Sequence, residues 1–122
     1  MVARGSEPRP GEWGLPGGCQ EVNETIYQAA SREVVEETGV EAEVMGLIDV
    51  VDLIHSDAEG RTRLHYTIIE LWAEWRQGEP IAGSDAAHAA WFNLEEAVSA
   101  VRWQKTAEII RRAAALRRKS ER

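Results

Sequence analysis

The sequence predicts an α/β domain, and three observations carry that expectation. A polar capping signature opens a helical stretch at Thr25 and a glycine closes it at Gly39; two runs rich in β-branched and aromatic residues flank a turn at 57–60; and apolar residues recur at helical spacing near the C-terminus. Helical and strand periods thus alternate along 122 residues, a length suited to one core and a single domain spanning 1–122.

The elements follow in order. Residues 1–18 hold three of the four prolines and five of the ten glycines, which predicts an irregular lead-in. Thr25 with Gln28 three residues on forms a capping box, and Gly39 suits the left-handed position that ends a helix near Thr38. Asn23, just ahead of the helix, suits a positive φ. Residues 43–55 and 62–75 read as the arms of a long antiparallel hairpin around Asp57-Ala58-Glu59-Gly60. On the second arm Leu64, Tyr66, Ile68 and Trp72 share one face and Ile69, Leu71 and Trp75 the other, so both faces are expected to be covered. A loop over 77–90 leads to a short strand at Trp91–Phe92, and Asn93 with Glu96 opens a short helix. A longer amphipathic helix is expected over 103–118, with Trp103, Ala107, Ile110 and Ala114 on its packed face.

Composition narrows the function classes. The net charge of −7 divides unevenly: from Arg102 onward eight Lys/Arg oppose Glu108 and Glu121, leaving a body with six Lys/Arg against nineteen Asp/Glu. An acidic body repels nucleic-acid phosphates, and a polyanionic substrate approaches it only where cations screen the carboxylates. The basic tail lacks interleaved aromatics and reads as a solvated helix face, so no nucleic-acid partner is expected. No apolar run approaches the roughly 18 residues of a membrane span, which predicts no membrane partner. A single cysteine, Cys19, precludes an internal disulfide, and no leader pattern is visible, so a cytoplasmic location is expected.

The chemistry concentrates at the end of the first helix. Glu33, Glu36 and Glu37 are related by three and four residues and project from one side, continuing the stripe begun by Ile26, Ala29 and Ala30. A merely solvated acidic face would lie opposite the apolar stripe. Like charges at this spacing cost about 0.2–0.5 kcal/mol per pair in water, a repulsion that a hard divalent cation relieves. Pro16-Gly17-Gly18, just before the helix, lets backbone approach a ligand where a side chain would intrude.

These residues make the chain similar to the Nudix hydrolase family. Gly18, Glu24, Arg32, Glu33, Val34, Glu36, Glu37, Gly39 and Val40 match every defined position of the Nudix box, which arises by chance about once in 10⁸ starting positions. The resemblance implies an α/β/α sandwich with a mixed sheet. It also implies Mg²⁺-dependent hydrolysis, Mn²⁺ substituting, of a diphosphate linkage in a small nucleotide substrate: a nucleotide sugar, an ADP-ribose-like compound or a nucleoside triphosphate. It assigns metal binding to Glu33, Glu36 and Glu37, with a backbone carbonyl from Gly17 and Glu24 as a further candidate, and it makes Arg32 an orienting partner of the carboxylates. Trp13 and Gly18 stand where substrate is expected. The family recruits its general base variously, from a box glutamate or from a loop acid, here Glu79 or Asp85. His55, His65, Tyr66 and Trp72 are further aromatic candidates, with core packing the competing role. Neither the downstream proline of many ADP-ribose hydrolases nor the extra motif of coenzyme A hydrolases is found. The sequence before the box is short for the family, so the N-terminal strand is expected to be shortened or missing. A homodimer, a swapped strand or a longer natural N-terminus would remedy that. The alternative to an enzyme is a catalytically weak nucleotide sensor of the same fold.

Overall fold

In a computed structural model, residues 1–4, 12–83 and 86–120 are described. The order is β1 (Val2–Arg4), β2 (Trp13–Gly14), α1 (Ile26–Thr38), β3 (Glu41–Ser56), β4 (Thr62–Gln77), β5 (Ala86–Ala89), α2 (Leu94–Ala100) and α3 (Gln104–Ser120). Strands β2, β1 and β5 form one sheet and β3 with β4 another.

The hairpin is the scaffold. Its turn forms because Asp57 Oδ1 accepts the amides of Glu59 and Arg61 while Gly60 takes a φ of 80°. Two register irregularities, near Met45 and Ile48, each insert an extra residue on β3. On either side of them the faces stay consistent: Gly46 pairs with Trp72, Val51 with Ile68 and Leu53 with Tyr66 on one face, while Leu47 pairs with Leu71 and Val50 with Ile69 on the other. Ile48, Val51 and Ile109 form the buried core, with Ile68, Trp72, Ala113 and Leu116 packed on it, so α3 covers the first face around Val51 and Trp72 while Leu64 and Tyr66 nearer the turn stay exposed. Arg112 ties the two together, donating to the Ile48 carbonyl at 2.7 Å and to Asp49 at 3.0 Å. At the hairpin base, a groove of about 640 Å³ separates Tyr27, Gln28 and Ser31 of α1 from Ala42 and Val44, which belong to the other face. Helix, hairpin and helix thus stack as the expected α/β/α sandwich.

Five expectations need correcting. The lead-in is not wholly irregular: Val2–Arg4 pairs antiparallel with Trp13–Gly14 and with Ala86–Ala89, so the N-terminal strand is shortened to three residues rather than missing. The mixed sheet is not seen among the described residues, where every pairing is antiparallel, as a short turn between β3 and β4 requires. The late strand lies at Ala86–Ala89, inside the expected loop, because pairing to β1 outweighs the low strand preference of alanine; Trp91 and Phe92 are irregular. On α3 the fully packed positions are Ala107 and Ile109 rather than the whole Trp103, Ala107, Ile110, Ala114 stripe, and Trp103 stays 39% exposed. Finally, both hairpin faces were expected to be covered, yet Leu47, Val50 and Ile69 are open, since no described element crosses that face beyond the groove.

Candidate active site

Helix α1 is fixed at both ends. Thr25 Oγ1 accepts the Gln28 amide at 3.1 Å and Gln28 Oε1 accepts the Thr25 amide at 2.9 Å, completing the capping box. Asn23 adopts the expected positive φ, 67°. At the other end Gly39, at φ 73°, donates to the Val35 carbonyl at 2.8 Å. The following loop then satisfies two carbonyls of the last turn: Ile81 N–H donates to Thr38 O at 2.7 Å and Gly83 N–H to Glu37 O at 3.0 Å. Gly78, at φ 99°, lets the loop pass so close to Gly39 that a Cβ there would lie 2.8 Å from its carbonyl oxygen.

Between these ends Arg32 organises the carboxylates. Its Nε and Nη2 donate to the two oxygens of Glu24 at 2.6 and 2.9 Å, and its Nη1 donates to Glu33 at 2.8 Å and to Glu36 at 3.1 Å. Nη2 also reaches the Cys19 carbonyl at 2.9 Å, tying the glycine loop to the helix. The expected partners Glu24 and Glu36 are both present; Glu33 and Cys19 O are additions that spacing alone does not reveal. Hydrogen bonds from Arg32 hold the Glu24 carboxyl below its ordinary range, and the bonds to Glu24 and Glu33 push the guanidinium above its own.

The third glutamate is held separately. Glu37 is buried at 9% exposure and accepts the Gly17 amide at 2.7 Å. Gly18 lies over Glu33 so tightly that a Cβ would fall within 2.6 Å of its carboxyl carbon and both oxygens. That glycine cradle shapes the space beside the carboxylates. Among the described residues no three metal-binding side chains have already converged on one point, since Arg32 engages one oxygen of Glu33 and of Glu36. The donor set itself, carboxylates beside a glycine loop in which a Cβ at Gly18 would meet the Glu33 carboxylate although one at Gly17 would meet nothing, fits a hard divalent cation.

The remaining candidates divide. Trp13 stacks edge-on against Phe92 at 4.8 Å and lies 6.5 Å from His88, four residues ahead of Gly17. Phe92 and His88 were not anticipated; only their nonlocal pairing through β1 brings them there. Glu79 accepts the Trp91 indole N–H at 3.3 Å. Asp85 lies outside the described residues. His65 pairs with Asp52 at 3.3 Å on the hairpin, Tyr66 is 52% exposed there, and Trp72 packs on the core. His55 stands one residue before the end of β3, opposite Leu64. These four belong to the hairpin, and only Trp72 takes the core role that competed with a site role.

A family model described as NUDIX domain matches residues 1–113. The chain is 35% identical over 94 residues to an ADP-ribose pyrophosphatase of Methanocaldococcus jannaschii, covering 77% of this chain and 53% of that protein. It is 32% identical over 97 residues to the human diphosphoinositol polyphosphate phosphohydrolase 3-alpha, covering 79% and 56%. The chain therefore spans about half the length of the curated relatives it matches. A solved structure, the MutT NUDIX hydrolase from Burkholderia pseudomallei, superposes with a TM-score of 0.65 at 31% identity, over 91% of this chain and 84% of that one.

Proposed function

Since the chain belongs to the Nudix family, we propose that it is a hydrolase, dependent on Mg²⁺ with Mn²⁺ as substitute, that cleaves a diphosphate linkage in a nucleoside diphosphate bearing a further group. The observation that carries this reading is the set of carboxylates gathered by Arg32 beside the Gly17-Gly18 loop. Glu33, Glu36 and Glu37, with the Gly17 carbonyl, would hold the cation. When bound, such an ion lowers the pKa of water and neutralises phosphate oxygens. The chain's own residues do the rest. Glu24, with both oxygens on Arg32, acts as the anchor of that arginine rather than as a direct ligand. Arg32 in turn holds Glu33 and Glu36 in register, and Gly18 keeps the space beside Glu33 open. Trp13 offers a ring edge to the substrate's base or sugar. The proton of the attacking water goes to a box glutamate or to a loop acid, Glu79 or Asp85.

Two named relatives point to different substrates, an ADP-ribose and a diphosphoinositol polyphosphate, which share the diphosphate. The acidic body, six Lys/Arg against nineteen Asp/Glu before Arg102, disfavours a densely phosphorylated inositol and favours a nucleotide with few phosphates. We read the protein as a cytoplasmic homodimer with no nucleic-acid or membrane partner; no helix among the described residues is long and apolar enough to cross a membrane.

The test is a panel of ADP-ribose, nucleotide sugars, nucleoside triphosphates and a diphosphoinositol polyphosphate, with Mg²⁺ or Mn²⁺ and with excess chelator. Turnover of a nucleotide that stops with chelator is expected. Undiminished turnover in chelator overturns the metal assignment, and no turnover across the panel favours the sensor. Saturating Mg²⁺ should also raise the melting temperature, since an ion at a hundred times its Kd stabilises the folded state by about 2.7 kcal/mol.

A further inference from the structure

Strand β1 sets two ring-bearing side chains side by side. It lies between β2 and β5, and register places Ala3 opposite Trp13 on one side and opposite His88 on the other. Residues directly opposite one another share a face of the sheet, so Trp13 and His88 project to the same side. Their strands are two spacings apart, about 10 Å, yet the ring centroids are 6.5 Å apart, so the two side chains lean toward each other across β1.

The two rings differ in freedom. Trp13 is half-buried and held by Phe92, whose ring meets it edge-on at 4.8 Å. His88 is exposed, and its plane is inclined by only 35° to that of Trp13. Their spacing decides between contact and a slot. Carbon atoms in contact lie about 3.5–4.0 Å apart, so a flat ring inserted between two others needs about 7–8 Å. A separation of 6.5 Å is wider than two rings in face contact need and about 1 Å short of a stack of three, a difference that a small turn of the exposed His88 side chain supplies.

The chain also limits how far this pair stands from the carboxylates. Four residues separate Trp13 from Gly17, whose amide donates to Glu37 at 2.7 Å, so at most about 14 Å of backbone lies between them. An extended nucleoside diphosphate covers a distance of that order.

We propose that Trp13 and His88 grip the nucleobase of the substrate between their rings, which makes His88 a specificity-determining residue. The proposal rests on the hydrolase reading above and narrows its substrate to a nucleotide. An inositol ring is puckered and offers no flat face, so the slot separates the two substrate chemistries named for the relatives. Every nucleobase has such a face, so the slot selects for the presence of a base rather than for its identity.

The experiment is calorimetry at saturating Mg²⁺ with AMP and with ribose 5-phosphate, which lacks only the base. Wild type is expected to bind AMP about tenfold more tightly, or better. His88→Ala, at an exposed position, should weaken AMP about tenfold and leave ribose 5-phosphate unchanged. His88→Phe, which keeps a flat ring and has the stronger strand preference, should restore the wild-type affinity for AMP. On a hydrolysed nucleotide, His88→Ala should raise KM about tenfold and lower kcat far less, the pattern of lost ground-state binding. The wild-type comparison of AMP with ribose 5-phosphate needs no substituted protein, so it decides the matter even where His88→Ala lowers the melting temperature. AMP bound no more tightly than ribose 5-phosphate overturns the slot. So does a His88→Ala protein that binds AMP like wild type, or a His88→Phe protein as weak as His88→Ala. Turnover that stops with chelator reads the hydrolase assignment separately, so the slot can fail while that assignment stands.

Discussion

Helix α1 and the β3–β4 hairpin solve opposite problems. The 13-residue helix is fastened by a capping box, a left-handed glycine, two loop amides and a five-bond arginine, nearly all from residues close in sequence. The hairpin, with 16 residues in each arm, is fastened on one face by α3 and on the other only at its base by α1, leaving Leu47, Val50 and Ile69 exposed. The contrast separates two uses of surface. Where polar groups are closely matched, as around Arg32, the chain fixes a candidate site; where apolar side chains such as Leu47 and Val50 are unmatched, the chain leaves surface exposed.

The sharpest way to break this comparison is at Glu37. Replacing it by Gln keeps an acceptor for the Gly17 amide but removes the charge, so kcat should fall by about a hundredfold or more, roughly 2.7 kcal/mol, while the melting temperature without metal stays close to wild type. Unchanged kcat on a confirmed substrate would reduce the cluster to a structural one. Gly83→Ala should act next most strongly and in the opposite manner, through stability. A Cβ there would collide with the backbone oxygen of Glu36, which cannot swing aside, so urea unfolding should show a loss of about 1–3 kcal/mol.

Gly18→Ala makes the complementary test. Its Cβ meets only the far end of the Glu33 side chain, which can move. Stability should change by no more than about 0.5 kcal/mol, whereas kcat should drop about tenfold as Glu33 is displaced. Equal losses of stability at Gly18 and Gly83 would contradict the cradle. The smallest effect belongs to the hairpin. Burial, reinforced by Asp49, pushes the Glu70 carboxyl above its ordinary value of 4.5. A folded-state value above the unfolded one means the neutral form is favoured on folding. That stability is present below the ordinary value and is lost as pH rises through the raised one. Glu70→Gln should therefore stabilise the protein slightly at neutral pH and leave it unaffected near pH 3, as thermal melts at the two pH values would reveal.

The same contrast explains what was legible in the sequence. Thr25, Gln28 and Gly39 bond to neighbours three or four residues away, and the Glu33, Glu36, Glu37 stripe follows from helical geometry, so both could be read from spacing. The strand at Ala86–Ala89 could not, because alanine carries little strand preference and its partner Val2–Arg4 lies more than eighty residues away. Nor could the third glutamate bond of Arg32, since adjacent residues on a helix do not ordinarily face each other. The hairpin's two apolar faces were visible as a pattern of alternation, but alternation says which residues share a face and not what covers it.

One connection constrains how this site can change. The amides of Ile81 and Gly83 are bonded to the last turn of the helix that carries Glu36 and Glu37, so the loop and the carboxylates form one mechanical unit. Transplanting a loop of different length between β4 and β5 would re-aim the helix end along with it. Specificity engineering here is not modular: a grafted loop keeps the site intact only if it returns two backbone donors to the carbonyls of Glu37 and Thr38. Those two amides should accordingly exchange with solvent at the pace of the helix rather than of a loop.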